Sequence, residues 1–126
     1  IIAGFPTETE EHFENSRKLI SEAGISFCHI FSFSPHNGTP AAKMPQVEKS
    51  VIKRRTNELI LEGKKELNKL LNQMVGNEFE VIVETGEMVR CENFASGILL
   101  KDASFKRGEI VKLKAVSMLN EKLIFT

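Results

Sequence analysis

The spacing of apolar residues changes at Gly76, and this change divides the chain into segments that must fold differently. From Gln46 to Val75 apolar residues recur every three or four positions, which predicts one long helix that Gly63 weakens and Gly76 ends. After Gly76 apolar and polar residues alternate, as in half-buried strands. Turn residues separate five such segments, so residues 76–126 are predicted to form a small five-stranded antiparallel β-barrel of the OB or SH3-like kind.

The first 45 residues alternate strand, helix and strand. Ile1–Ala3 and Ile25–Phe33 are predicted strands, and the second is apolar on both faces, as in parallel strands that are covered on both sides. Between them we predict a helix over Glu8–Ala23, capped by Thr7 with Glu10 closing a capping box. This βαβ pattern beside a barrel gives an α+β fold class, and one such unit needs neighbouring strands to close a sheet.

A proline-rich loop directly follows the second strand. The loop begins just after Phe31 and Phe33, which we expect to lie in the core. It contains three of the chain's four prolines, Pro35, Pro40 and Pro45. Proline removes a backbone donor and restricts the preceding residue, so this stretch cannot form regular hydrogen-bonded structure. Long irregular loops inside compact domains are uncommon and often functional. The loop is therefore a candidate functional segment.

The charge of the chain is balanced overall but uneven along its length. The 126 residues carry 17 basic and 17 acidic side chains, which excludes the strong positive field of many nucleic-acid-binding proteins. Residues 46–74 hold 7 basic and 4 acidic residues, against 3 and 5 in residues 1–45 and 7 and 8 in residues 75–126. The predicted helix is the basic part, and its cations form either an RNA contact or an ordinary solvated surface.

Neither a membrane segment nor a disulfide is expected. No apolar stretch approaches the roughly 18–20 residues that span a bilayer, and no basic segment followed by an apolar one suggests a signal peptide. We therefore expect a cytoplasmic protein. Cys28 and Cys91 lie far apart, no C-x-x-C pair is present, and a structural disulfide is not expected in a reducing compartment.

Three stretches in order, IIAGFPTETEEHF, HIFSFSPHNGTPAAKMPQV and the terminal barrel, resemble the radical-SAM methylthiotransferases, above all the branch that acts on threonylcarbamoyladenosine in tRNA. The resemblance implies that residues 1–45 end a radical-SAM barrel, that residues 46–75 form a linking helix and that residues 76–126 form a TRAM domain, which binds RNA. It implies that the intact enzyme uses S-adenosylmethionine and a 4Fe–4S cluster. Because the chain opens in mid-strand, we expect the preceding part of its own chain to be a partner.

The chain departs from the family pattern at three points. Thr7 stands where the family usually has Gly, which we expect to be harmless because Thr caps helices well. His36 stands where Arg is common, which puts in doubt any role that needs a permanent cation. The cluster motif C-x-x-x-C-x-x-C is absent from these 126 residues. We therefore expect this segment alone to bind neither cofactor, to hold no catalytic residue and to be inactive.

Two sets of candidate site residues follow from the resemblance. The strand-end set, which would line the S-adenosylmethionine site of the intact enzyme, comprises Gly4, Phe5, Pro6, Ser34 and His36. The RNA-binding set combines cations with an aromatic side chain suited to base stacking and comprises Arg54, Arg55, Arg90, Asn93, Phe94, Lys112 and Lys114. The alternatives are a plain strand-to-helix turn for the first set and an ordinary protein surface for the second.

Three functions remain open at the level of sequence. An enzyme segment that contributes tRNA binding accounts for the βαβ pattern, whereas a non-catalytic RNA-binding module on a helical stalk accounts only for the helix and barrel. A third is self-association through the open sheet edge. Residues 1–45 are expected to be the less stable part, because they lack sheet partners. Cys28, His29 and His36 are not expected to bind a metal, since adjacent residues on a strand point to opposite faces.

Overall fold

A strand, a helix and a second strand open the chain, as the sequence pattern predicts. The computed structural model describes residues 1–100 and 105–126, and the chain divides into two units, Ile1–Leu67 and Asn68–Thr126. The first unit contains β1 (Ile2–Ala3), α1 (Glu10–Glu22) and β2 (Phe31–Ser32), and α2 (Lys49–Met74) begins there and ends in the second unit. Helices and strands together confirm the α+β class.

No helix within the described residues combines the length with the apolar composition that crossing a bilayer requires.

The two short strands of the first unit pair in parallel, with Ile2 opposite Phe31, and α1 connects them. The predicted βαβ unit is confirmed. The second strand is much shorter than predicted, because β1 offers only two residues of partner backbone. The preceding segment turns instead: the Ile25 N–H bonds to the Ile20 carbonyl at the end of α1. Phe31 is 62% exposed, so the expectation that it lies in the core is wrong.

Thr9 caps the N-terminus of α1. Its hydroxyl accepts the His12 N–H at 3.2 Å, and His12 Nδ1 accepts the Thr9 N–H at 3.3 Å. The predicted cap at Thr7 is therefore wrong by two residues. Thr7 and Thr9 are both residues that cap helices well, so the sequence allowed the cap at either position. In the structure Thr7 belongs to the turn that precedes the helix.

Thr7 occupies the third position of a tight turn. The Glu8 N–H bonds to the Phe5 carbonyl at 2.9 Å, Pro6 is the second residue, and Thr7 has a φ of 76°. These are the features of a type II turn, whose third residue must adopt a positive φ and is usually glycine. A β-branched residue is strained in that region. The substitution of Thr for the family's Gly is therefore not harmless, contrary to the sequence-based expectation.

The core of the first unit is small and combines β1, α1 and α2. Its fully buried members are Ala3, Phe13, Ile20 and Leu59, with Cys28 and Ile30 packed against them. The helix α2 continues through Gly63. The absence of a side chain at Gly63 lets Cys28 pack closely against the helix, because an added Cβ would lie 3.0 Å from the Cβ of Cys28. The helix begins three residues later than predicted and ends one residue earlier.

The second unit is a closed barrel of β3 (Glu78–Val83), β4 (Met88–Cys91), β5 (Ser96–Leu99), β6 (Ile110–Leu119) and β7 (Lys122–Phe125). The strand order is β3-β4-β5-β7-β6, and β6 pairs back to β3. The predicted five-stranded barrel is confirmed, but β5 and β7 are parallel. An odd number of strands cannot alternate direction around a closed ring, so one pair must be parallel. The all-antiparallel prediction was wrong for this reason, and the order is that of an OB-type barrel.

The barrel interior is filled by the apolar residues of the alternating pattern, chiefly Val81, Val83, Val89, Leu99, Leu123 and Phe125. Gly97 on β5 faces the ring of Phe125, and a Cβ at Gly97 would overlap that ring. The glycine therefore makes room for the largest side chain of the barrel core. Leu71 and Met74, from the last turns of α2, are also buried in this unit.

Replacing Thr7 by Gly is expected to stabilise the chain by about 1 kcal/mol, because glycine removes the strain of the left-handed conformation. Thr9→Ala, two residues away, is expected to cost about 1 kcal/mol because it removes the helix cap. Urea unfolding of both variants, followed by far-UV circular dichroism, measures the two effects. A Thr7→Gly chain that is less stable than the parent would refute the turn assignment.

Replacing Gly97 by Ala is expected to destabilise the barrel by roughly 1–3 kcal/mol, because the added methyl group overpacks the core against Phe125. Gly86→Ala is the matched control, since nothing lies within 4 Å of a Cβ at that position. Its effect should stay within about 0.5 kcal/mol. Thermal unfolding of both variants provides the measurement, and equal stability of the two would contradict the packing assignment.

Candidate functional site

The hairpin that joins β4 to β5 presents Phe94 to solvent. This residue is 71% exposed and has a φ of 68°. The Phe94 N–H bonds to the Cys91 carbonyl at 2.9 Å, and the Ala95 N–H bonds to Asn93 Oδ1 at 3.1 Å. Exposure of a large apolar ring and a left-handed backbone both cost free energy, and such strained residues concentrate at binding sites. The hairpin is therefore a candidate site.

Arg90 holds this hairpin in place. Its Nη1 donates to the Phe94 carbonyl at 3.1 Å, while Nε and Nη2 donate to the two Glu84 carboxylate oxygens at 2.6 Å and 3.2 Å. The hydrogen bond from Arg90 keeps the pKa of Glu84 below its ordinary value. Asn93 is also used locally, because its Nδ2 donates to the Met74 sulfur at 3.4 Å. Arg90 and Asn93 thus position Phe94, and the charge of Arg90 is balanced within the protein.

Lys112 and Lys114 lie on the outer face of β6, opposite acidic residues of β3. Lys114 faces Glu78 and Lys112 faces Glu80 across the two strands. Lys112 Nζ forms an ion pair with Glu78 at 3.0 Å. Exposed pairs of this kind contribute little stability, but they remove most of the net positive field of the surface. The two lysines therefore present a mixed-charge surface.

Two exposed isoleucines lie beside Arg90 in a row that crosses the outer face of β4, β3 and β6. Ile82 on β3 is paired with Arg90 on one side and Ile110 on the other, and both isoleucines are exposed. We call Ile82, Arg90, Phe94 and Ile110 the hairpin surface. The sequence analysis did not select the isoleucines. A signal was present, because Ile82 falls on the otherwise acidic face of the alternating segment EFEVIVE.

Arg55 is buried and serves the packing of the first unit. Its Nη1 donates to Glu8 Oε1 at 2.7 Å and to the Glu8 carbonyl at 3.0 Å, and its Nη2 donates to Glu10 at 2.9 Å. The side chain is 6% exposed. Arg54 is half exposed and pairs with Glu10 and Glu58. Hydrogen bonds from Arg54 and Arg55 keep the pKa of Glu10 below its ordinary value.

These contacts bear on the predicted RNA role of the two arginines. A guanidinium enclosed by two glutamates has no free donor face for a phosphate, and Arg55 is enclosed in this way. Arg54 is accessible but is shared between Glu10 and Glu58. The RNA contact of Arg54 and Arg55 stays a prediction, and their geometry favours a structural role.

The strand-end set divides into packed and exposed residues. Gly4 and Pro6 are buried, and a Cβ at Gly4 would overlap Ile52 of α2, so the glycine permits close helix packing. Phe5 is half exposed and meets the Phe33 ring edge to face, with centroids 5.3 Å apart. The structure thus brings Phe5 to Phe33, the first residue after β2.

Ser34 and His36 lie in the proline-rich loop and are exposed. The loop is ordered by its own hydrogen bonds: the Thr39 hydroxyl donates to the His36 carbonyl at 2.7 Å, and Gln46 Nε2 donates to the carbonyls of Ala41 and Met44 at 2.9 Å and 2.8 Å. A short 3₁₀ turn, Ala41–Lys43, lies between these contacts. The loop therefore has a defined conformation without strand pairing.

An open cavity of about 590 Å³ separates this loop from the first turns of α2. We call it the loop cavity, and it is lined by Ser32, Phe33, Ser34, Pro35, Gln46, Val47, Lys49, Ile52 and Lys53. Sequence reasoning placed Ser34 in a site but assigned Lys49 and Lys53 only to the basic helix. The available signal was their position, since they follow the candidate loop within one to two helical turns.

The two cysteines do not fit a 4Fe–4S cluster. Cys28 is in the first unit, where its thiol donates to the Ile25 carbonyl at 3.3 Å, and Cys91 is buried in the barrel. Burial raises the pKa of both thiols, that of Cys91 to about 11. Within the described residues no group of three His, Cys, Asp or Glu side chains could hold a metal. The described part of the chain therefore supplies no cluster site.

Replacing Arg55 by Ala is expected to destabilise the first unit by roughly 3–5 kcal/mol, because it leaves the buried Glu8 carboxylate without its partner. Arg54→Ala is the matched control on the same helix, and its exposed pairs should contribute about 0–1 kcal/mol. Denaturant unfolding of the two variants gives the comparison. Equal losses in the two variants would show that burial of Arg55 has no energetic consequence.

Known proteins similar to this chain include methylthiotransferases of three descriptions. No family model matches the chain. The threonylcarbamoyladenosine tRNA methylthiotransferase MtaB of Rickettsia prowazekii is 42% identical over 118 residues, covering 94% of this chain and 28% of that protein. A probable threonylcarbamoyladenosine tRNA methylthiotransferase of Methanocaldococcus jannaschii is 32% identical over 123 residues, covering 97% and 27%.

A third relative has a different named substrate. The ribosomal protein uS12 methylthiotransferase RimO of Elusimicrobium minutum is 32% identical over 122 residues, covering 92% of this chain and 28% of that protein. The chain thus spans little more than a quarter of the length of the relatives it matches. The resemblance read from the GFPTETEEHF and proline-loop motifs is confirmed, and the chain belongs to the methylthiotransferase family.

Proposed function

We propose that this chain is the segment of a tRNA methylthiotransferase that holds the RNA substrate, with an unpaired base stacked on the hairpin surface. The conformation of Phe94 carries the proposal. The Phe94 ring is exposed and its backbone has a strained, positive φ. Contacts from Arg90, Cys91 and Asn93 hold the residue in this conformation. A residue kept in a costly conformation by several neighbours is best explained by what it binds.

The surroundings of Phe94 favour base stacking over phosphate contact. Glu84 balances the charge of Arg90, and Glu80 and Glu92 lie beside Arg90 in the shallow depression near Ile82. Residues 75–126 carry 7 basic and 8 acidic residues, so the barrel exerts no long-range attraction on RNA. A flat apolar face still binds unstacked bases, because stacking does not depend on charge. Lys112 and Lys114 would then contact the backbone only at short range.

The names of the relatives support a proposal for the activity of the whole protein. Two of them are described as threonylcarbamoyladenosine tRNA methylthiotransferases. We propose the same reaction here, methylthiolation at position 2 of N6-threonylcarbamoyladenosine in tRNA. S-adenosylmethionine and a 4Fe–4S cluster would supply the chemistry, and the described residues would bind and orient the RNA. Phe5 and Ser34 are accessible for a contact with S-adenosylmethionine, whereas Gly4 and Pro6 are buried by packing.

Two partner predictions concern the first unit. The preceding part of its own chain, or a second copy at the edge of the β1–β2 sheet, would cover apolar surface here. Ile2 and Phe31 are paired across the strands and are both exposed. Neither partner is assigned, and the lower stability of residues 1–45 also stays a prediction.

Phe94→Ala is expected to weaken tRNA binding by about 1–3 kcal/mol, because one stacking platform is lost. Phe94→Gly sharpens the test, since it should weaken binding equally while raising stability by about 1 kcal/mol through relief of the strained φ. Filter binding of an unmodified tRNA transcript at several salt concentrations measures the affinity. The dependence on salt should be unchanged, because no phosphate contact is removed.

Phe27→Ala is the matched control, because Phe27 is also an exposed phenylalanine but lies in the first unit. It should bind tRNA like the parent. Ribosomal protein uS12, the substrate named for one relative, serves as the competing ligand. Parent-like tRNA binding by a folded Phe94→Gly chain, or preferential binding of uS12, would overturn the proposal.

A further inference from the structure

The loop cavity is lined by lysines that have no role in the function proposed above. Of its nine lining residues, two are lysines and none is acidic. Lys49 and Lys53 are separated by four positions on α2, so their side chains project from the same helix face. Neither lysine forms an ion pair with another residue in the described part of the chain, in contrast to Arg54 and Arg55 on the same helix. The cavity therefore combines two uncompensated cations.

The cavity also has apolar lining residues, two of which are held in place by packing. Phe33 is held edge to face against Phe5, and Ile52 packs against the backbone at Gly4. Pro35 and Val47 are further apolar lining residues. The Ser32 hydroxyl is engaged with Thr56 at 2.8 Å, so Ser32 belongs to the frame of the cavity. The cavity thus combines two cations with aromatic and aliphatic surface.

We propose that the loop cavity binds a nucleotide unit of the RNA substrate, with its phosphate at Lys49 and Lys53 and its base or sugar against Phe33, Pro35 and Val47. Lysine ammonium groups bind phosphate oxygens through charge-assisted hydrogen bonds. A volume of about 590 Å³ lies within the range of pockets that hold small organic ligands. The site rests on the proposed RNA-binding function and adds a phosphate contact that the hairpin surface lacks.

S-adenosylmethionine fits the cavity less well than a nucleotide does. That cofactor carries a sulfonium and an ammonium group against a single carboxylate, so two uncompensated lysines repel it overall. A nucleotide phosphate is anionic and is attracted by the same pair.

The experiment is an NMR titration of the isotope-labelled 126-residue chain with adenosine 5′-monophosphate, and with adenosine as the probe that lacks only the phosphate. The monophosphate should shift the amide signals of Ser34, Val47 and Ile52, and adenosine should bind about fivefold to tenfold more weakly. The Lys49→Gln/Lys53→Gln double variant should bind the monophosphate more weakly by the same factor, and its affinity for adenosine should be unchanged. Lys49→Arg/Lys53→Arg keeps the charge and should retain binding.

A charge-matched control is Lys18→Gln/Lys65→Gln, which removes two cations of the first unit outside the cavity. It should bind the monophosphate within about twofold of the parent, since exposed charges at a distance are screened. With single-stranded oligoadenylate, the cavity variant should reduce the salt slope by roughly one unit and the control should not.

Three results would overturn the site: equal affinity for the monophosphate and adenosine, parent-like monophosphate binding by the folded Lys49→Gln/Lys53→Gln chain, or equal losses in the cavity and control variants. The two proposals fail separately. Loss of the phosphate effect with a retained Phe94 effect refutes the cavity alone. An inert Phe94 with a retained Lys49/Lys53 effect refutes the hairpin surface and leaves the cavity supported.

Discussion

The buried guanidinium of Arg55 is the contact on which the first unit depends. It joins α2 to the start of α1 through Glu8 and Glu10, and its carbon lies 5.6 Å from the Phe13 ring centroid. Glu8 in turn accepts the Gly4 N–H at 3.1 Å, so one carboxylate connects the end of β1, the following turn and α2. Arg55 Nε is buried without a partner among the described residues. These contacts therefore fix the positions of β1, α1 and α2 more than they add net stability, because the desolvation of buried charges offsets much of their attraction.

Position along the helix decides what each cation of α2 is available to do. Arg55 faces the unit interior and is committed to acidic partners, whereas Lys49 and Lys53 face the loop cavity and have no ion pair within the described residues. The net charge of residues 46–74 does not depend on whether these cations are paired within the protein. Counting cations in the sequence indicated a basic helix, but it did not show which of these cations are already paired with acidic residues of the protein.

Backbone strain appears in both units and has different consequences. At Thr7 the strained residue closes a turn in which glycine would be unstrained. At Phe94 the strain accompanies an exposed aromatic ring and a guanidinium that holds the carbonyl. A positive φ alone thus does not identify a site. Strain together with exposure and dedicated supporting contacts is the basis on which we propose a site at Phe94.

The sequence by itself determined the order of elements, the βαβ unit, the long helix, the five-stranded barrel and the family, because these depend on periodicity, turn residues and local motifs. It also selected Phe94, an aromatic residue between turn and strand. Only the tertiary structure decided that Thr9 caps α1, that β5 and β7 are parallel, that Arg55 is enclosed by Glu8 and Glu10, and that Lys49 and Lys53 line a cavity. These features depend on which residues distant in sequence meet, and on whether a charge finds its partner within the protein or is left for a ligand.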